Sequence, residues 1–171
     1  MPNIDNVIQR IRESKRTLFI LCGFPYAGKS YIATEIQKSA DVVYVAIDDI
    51  FHRHGFDWNT NTLPNSDEWQ NIFDESYTIS KDALKEGKNV LYDSTNQTLA
   101  SRDKLREVAC SVGAKTIVIY IQCSPETVWK RWEKSALEKS RPSVSKNLVQ
   151  MTIDQFETPT VAENVIMIIN D

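Results

Sequence analysis

Five apolar runs recur along the chain: Thr17 to Cys22, Val42 to Ile47, Lys88 to Asp93, Thr116 to Ile121 and Asn164 to Ile169. Each is short and apolar at its centre, and Val42 to Ile47 is nearly continuous. That is the pattern of a parallel strand covered on both faces. Between the runs, apolar residues return at helical spacing. Ile4, Val7, Ile8 and Ile11 predict a first helix with Asn3 or Asp5 as its cap. Tyr31 to Ser39 reads as a second helix. Trp69, Ile72, Phe73, Tyr77 and Leu84 predict a third, capped by Ser66 and stopped near Gly87. Leu105, Val108 and Ala109 mark a helix over Ser101 to Ser111, ended by Gly113. Another helix opens at Ser124 or Pro125, with Val128, Trp129, Trp132 and Leu137 on its apolar side and a break from Arg141 to Ser145. Leu148, Met151 and Phe156, with Ile153 slightly off the stripe, predict one more. Phe51 to Asn65 has no period and reads as a long loop or short irregular helices. The alternation predicts an α/β fold: a mostly parallel five-stranded sheet, helices on both faces and right-handed crossovers.

Length and composition narrow this picture without redirecting it. A chain of 171 residues is expected to form one domain over 1–171. The net charge of −3 provides no broad basic surface for nucleic acid. Cys22, Cys110 and Cys123 lack metal-ligand spacing, and two of them close apolar runs, so buried reduced thiols are expected. The first residues lack the basic-then-apolar layout of a secretory leader, and no apolar run reaches membrane-spanning length. A cytoplasmic enzyme without a membrane partner is the expected class.

Candidate chemistry starts where the first apolar run ends. Gly23-Phe24-Pro25-Tyr26-Ala27-Gly28-Lys29-Ser30 fits the phosphate-loop pattern G-x-x-x-x-G-K-[ST] at every fixed position. A strand precedes it and a helix beginning at Tyr31 follows. In that order the free N–H groups and positive dipole end of the helix face the wrapped chain. The nine residues Gly23 to Tyr31 are therefore the candidate nucleotide-binding set, with Lys29 reaching the β/γ-phosphates and Ser30 ligating magnesium. Two further carboxylates end strands on the ligand-binding edge of an open α/β sheet, Asp48 with its neighbour Asp49, and Asp93. One can hold the metal while the other accepts a proton from a substrate hydroxyl. Asp48 is assigned as the base and Asp93 as the metal-side carboxylate, the reverse being the alternative. Arg131 and Arg141 follow the fourth strand and supply fixed donors for phosphate oxygens, on a predicted lid over about 129–146. His52 and His54 stand alternately on the long loop without further metal-type neighbours. They read as substrate contacts or solvated side chains rather than metal ligands, with Arg53, Phe51, Phe56, Trp58 and Trp69 around the same acceptor region.

Taken together, the phosphate loop, Asp48-Asp49, Asp93-Ser94-Thr95-Asn96 followed by Arg102, and the Arg131 to Arg141 segment occur in one order. That order resembles the small phosphate-loop kinases related to the polynucleotide 5′-kinase domain, a group that includes zeta toxins and chloramphenicol phosphotransferase. The resemblance covers nearly the whole chain after residue 16. It implies a three-layer P-loop kinase fold, with the Asp93 strand beside the phosphate-loop strand and a helical lid. It implies ATP and Mg2+ as cofactors, Asp48 as the carboxylate that deprotonates the acceptor, and Arg131 and Arg141 on the phosphates or the adenine. Asp49, Arg53, Asn96 and Arg102 then lie on the substrate side. Polynucleotide kinases place an arginine two residues after the acidic pair, where this chain has Phe51, and the arginines of the lid are more widely spaced here. Both departures favour a small-molecule hydroxyl as phosphate acceptor over the 5′-hydroxyl of a nucleic acid. A nucleotide-binding regulatory module without catalysis is the third reading. It would need Lys29 and Ser30 but not Asp48. No base-reading motif separates ATP from GTP.

Overall fold

A computed structural model of the chain describes residues 4–138 and 144–171. In order, the elements are α1 (Asp5–Glu13), β1 (Thr17–Cys22), α2 (Lys29–Ser39), β2 (Val43–Ala46), α3 (Ile47–Arg53) and α4 (Ser66–Lys85). They continue with β3 (Val90–Asp93), α5 (Leu99–Cys110), β4 (Lys115–Gln122), α6 (Pro125–Glu138), α7 (Lys146–Asp154), a 3-10 turn at Val161–Glu163 and β5 (Val165–Ile169). The five strands pair in parallel in the order β2-β3-β1-β4-β5. The Asp93 strand therefore lies beside the strand that leads into the phosphate loop, with Leu21 opposite Asp93.

Period-two alternation splits the core into two layers. Phe19, Leu21, Leu91 and Ile119 face one side, where Val7 and Ile11 of α1, Ile32 and Ile36 of α2, Val128 of α6 and Val149 of α7 cover them. Leu18, Ile20, Tyr92 and Val118 face the other, under Ile50 and Phe51 of α3, Ile72 and Leu84 of α4, and Leu105 of α5. All six residues of β1 are buried. This explains why the central strand reads as an unbroken apolar run.

Several local expectations are corrected. Helix α1 is entered through Ile4, with no side-chain cap hydrogen bond. Asn65 rather than Ser66 caps α4, in a reciprocal box with Glu68. The apolar run at 42–47 is strand only to Ala46. Ile47 already belongs to α3, so Asp48 and Asp49 lie in the first turn of a helix rather than at the end of a strand. Carboxylates there complement the helix dipole. Leu137 is 84% exposed, and Met151 also faces outward. Val149 and Thr152 are the buried positions of α7. Cys22 and Cys123 are buried, and Cys110 is exposed at the end of α5.

Candidate active site

The phosphate loop is a turn held from three sides. The Ala27 N–H donates to the Phe24 carbonyl at 3.2 Å, which closes the wrap, and the Ile32 N–H bonds to the Gly28 carbonyl as α2 begins. Gly28 caps α2 at φ +96°, and a side chain there would collide with the Asn170 amide. At Gly23 a Cβ would stand 2.7 Å from the Ile121 carbonyl oxygen. Tyr26 sits at φ +65°, a conformation rare for an aromatic residue. Its carbonyl accepts from Arg131 at 3.2 Å, while Asn170 Nδ2 donates to the Ala27 carbonyl at 2.7 Å. On the β3 side, the Gly23 N–H donates to the Thr95 carbonyl at 3.2 Å.

Lys29 is the first residue of α2. Its ammonium donates to the Gly23 and Phe24 carbonyls at 3.0 and 2.8 Å, so the charge lies folded over the loop. Ser30 and Tyr31 follow on the exposed face of the same turn. Asp93 lies within electrostatic reach of Lys29, Asp48 and Asp49. Burial pushes its carboxyl up, Lys29 and a hydrogen bond from Tyr44 pull it down, and Asp48 and Asp49 push it up again, leaving it raised. The Tyr44 hydroxyl donates to Asp93 Oδ2 at 2.6 Å. Burial, then Asp93, in turn pushes the Tyr44 phenol up. Asp93 thus feels Lys29 from the loop and Asp48 and Asp49 from the first turn of α3.

Arg131 reaches the same loop from α6. Besides the Tyr26 carbonyl, its guanidinium donates to the Asn170 carbonyl at 2.9 Å and to Cys123 Sγ at 3.6 Å. With Tyr26, Gly28, Tyr31, Lys134 and Asn170 it lines an open cleft of about 410 Å³ at the start of α2. Arg141 lies outside the described residues, as does part of the predicted lid. A second cavity, of about 260 Å³, opens between α4, α5 and the 94–98 turn.

Three residues expected on the substrate side have other partners. Arg102 is 1% exposed. It pairs with Glu163 through two hydrogen bonds of 2.7 and 3.1 Å and donates to the Asn96 carbonyl at 2.9 Å. It does not line the second cavity. Asn96 does line it, but its amide donates to the Leu21 carbonyl at 2.7 Å, tying the 94–98 turn to β1. Arg53 and His54 both engage Glu75 on α4. Phe51 is fully buried, stacked with Trp58 and Trp69, so it is core rather than a substrate wall.

The residues missed from sequence are Tyr44, Asn170 and Glu163. Tyr44 is placed by strand pairing. It lies opposite Leu91, two residues before Asp93 and on the same face. Asn170 reaches Ala27 across 143 residues and Arg131 across 39, Glu163 reaches Arg102 across 61, and no local pattern marks them.

A parallel sheet with this strand order and a glycine-framed loop between β1 and α2 defines a P-loop kinase-like domain. The chain belongs to the AAA domain family, whose model matches residues 18–159. No curated protein sequence matches it. Among solved structures it is similar to a chain of the Pnkp1/Rnl/Hen1 complex, with TM-score 0.60 and 26% identity, over 67% of this chain and 38% of that one. It therefore spans well under half of that relative. It is also similar to a sugar kinase from Janibacter sp. HTCC2649, with TM-score 0.68 and 13% identity over 91% and 86% of the two chains. A third is Kti12 from Chaetomium thermophilum in complex with ADP-AlF3, with TM-score 0.64 and 15% identity over 88% and 87%. At such identities the last two show the fold alone. No helix among the described residues is long and apolar enough to cross a membrane.

Proposed function

We propose that the protein is an ATP-dependent phosphotransferase acting on the hydroxyl of a small molecule, with Mg2+ as its metal. The observation that carries this reading is the loop itself. It is a wrap that side chains at Gly23 and Gly28 would obstruct, at a helix start, with the Lys29 ammonium over it and the Asp93 carboxylate within its electrostatic reach. Such a cradle fits a polyphosphate. Bound there, Mg-ATP supplies the phosphoryl group. Loop N–H groups of Tyr26 and of residues 28 to 30 hold its oxygens, and Lys29 neutralises charge that grows as transfer proceeds. Ser30 and Asp93 hold the metal. Among the described residues no cluster of three or more His, Cys, Asp or Glu side chains is built to hold a metal. Magnesium in such sites takes one or two protein ligands together with phosphates and water. Tyr44 orients the Asp93 carboxylate through its hydrogen bond. Asp48, exposed in the first turn of α3, takes the proton from the acceptor hydroxyl. Arg131 steadies the loop and faces the cleft in which the nucleotide base is placed. The polynucleotide 5′-kinase alternative draws on the likeness to the Pnkp1 complex, but Phe51 stands where the nucleic-acid enzymes carry an arginine.

Asp48→Asn is the test of the catalytic reading against a purely regulatory one. Acceptor-stimulated transfer from labelled ATP is expected to fall by about 10²–10⁴-fold, the usual loss of a positioned base. Nucleotide affinity, measured by titration calorimetry, is expected to hold. Transfer at the parent rate would remove Asp48 from this role.

A further inference from the structure

We propose, building on the phosphotransferase reading above, that the acceptor is an uncharged, ring-bearing hydroxyl compound bound in the cavity between α4, α5 and the 94–98 turn. The cavity volume of about 260 Å³ suits one small ring system rather than a polymer end. Its apolar wall is a row of aromatic rings. Phe73 and Tyr77 lie 6.3 Å apart between centroids at 28°, and Tyr77 and Tyr92 lie 6.4 Å apart at 19°. The Tyr92 hydroxyl is fixed by Ser76 at 2.8 Å, so that ring is held in place. Flat rings and the C–H faces of sugars pack on such surfaces.

The polar part of the lining carries no charge. It consists of the Ser94, Thr95, Gln97, Thr98 and Ser101 side chains and the Asn96 amide already bonded to β1. Thr98 and Ser101 satisfy each other across the first turn of α5. Among the described residues, the Ser94 and Thr95 hydroxyls make no hydrogen bond and remain open to a ligand. These groups suit hydroxyls and amides.

The surrounding charges oppose an anion. Among the described residues, no lysine or arginine lines the cavity. Asp93 immediately precedes Ser94, and Asp74 stands close enough to Tyr77 to add to the upward push that burial gives its phenol. Arg102 and Arg53, the cations nearest in sequence expectation, are taken by Glu163 and Glu75. A phosphorylated acceptor would surrender its hydration with no counter-charge to replace it. The cavity also adjoins the phosphate loop, because Thr95 in its wall accepts the Gly23 N–H.

The test is a binding titration of the full chain, saturated with Mg-ADP, by protein-observed NMR. The probes are uridine and phenyl β-D-glucopyranoside, each paired with its phosphate monoester. At least one neutral probe is expected to bind about tenfold or more tighter than its phosphorylated partner, with shifts at Tyr77, Ser94 and Thr98. In Gln97→Arg, a surface change that adds a cation to the lining, that preference is expected to shrink or reverse. Tighter binding of the phosphate esters to the unmodified protein, binding away from these residues, or no binding of any probe would each overturn the proposal. Mg-ADP binding is followed in the same samples. Its absence would count against the nucleotide reading, whereas Mg-ADP binding with a phosphate-preferring cavity would sink only the acceptor assignment.

Discussion

Replacing Lys29 by methionine is expected to lower nucleotide-dependent turnover by about 10²–10³-fold, the range for losing one preorganised charge-stabilising donor. The ammonium sits on the Gly23 and Phe24 carbonyls, where it already offsets their partial negative charge at the mouth of the cradle. When phosphate oxygens arrive, the same flexible stem can swing to them, because a lysine ammonium keeps three rotatable donors. Methionine preserves the stem and removes the charge. The fold should survive, since Lys29 is only partly buried and the loop keeps its backbone bonds to Thr95 and its contact with Asn170. Steady-state ADP release, with circular dichroism as the control for folding, reads the result. Turnover within about twofold of the parent protein would show that this charge does not serve phosphate.

The second large effect concerns stability. Arg102→Met is expected to cost about 3–5 kcal/mol in the unfolding free energy, the usual penalty for stranding one partner of a buried ion pair. Glu163 is the stranded group. Burial alone would raise its carboxyl, but hydrogen bonds from Arg102, the Thr160 N–H and Arg106 hold it down at about 2. A depressed carboxyl stabilises the folded state above its unfolded value of 4.5, and that contribution disappears as pH falls from there through about 2. The parent protein should therefore lose stability through this window, and the variant should show a shallower acid limb. Adding Glu163→Met to Arg102→Met should restore part of the loss, because the uncompensated charge is gone. Urea denaturation at pH 7 and at pH 3 measures both effects. A loss below about 1 kcal/mol at neutral pH would mean that the pair contributes far less than buried pairs usually do. The pair also has a bearing on the site, because Arg102 holds the Asn96 carbonyl and Asn96 holds β1. Its role is to position the turn rather than to touch an acceptor.

The case of Arg102 marks the boundary of what could be read from the chain. Its place in the D-S-T-N-x-x-x-x-x-R segment was visible. Its partner, Glu163, is 61 residues away, and nothing local distinguishes a buried arginine from an exposed one. The five strands were legible because sheets covered on both faces demand continuous apolar runs. The phosphate loop was legible because its glycines and lysine are fixed by backbone geometry rather than by distant packing. The end of β2 is read one residue too late because Ile47 continues its apolar run into the helix. The acidic pair after it was the available signal, since carboxylates favour a first helical turn. Leu137 was misread for the opposite reason, as an apolar residue at helical spacing that no described residue covers. Tyr44 could have been found once the β2–β3 register was known, and Asn170 only from the closed fold.

The account rests on the wrapped backbone between β1 and α2 gripping a polyphosphate. A crystal structure with Mg-ADP-AlF3 tests that most directly. The predicted result is phosphate oxygens within hydrogen-bond distance of the N–H groups of Tyr26 and of residues 28 to 30, with the Lys29 ammonium moved from the Gly23 and Phe24 carbonyls onto them. A nucleotide bound elsewhere, with the loop unfilled and Lys29 still on those two carbonyls, would contradict it.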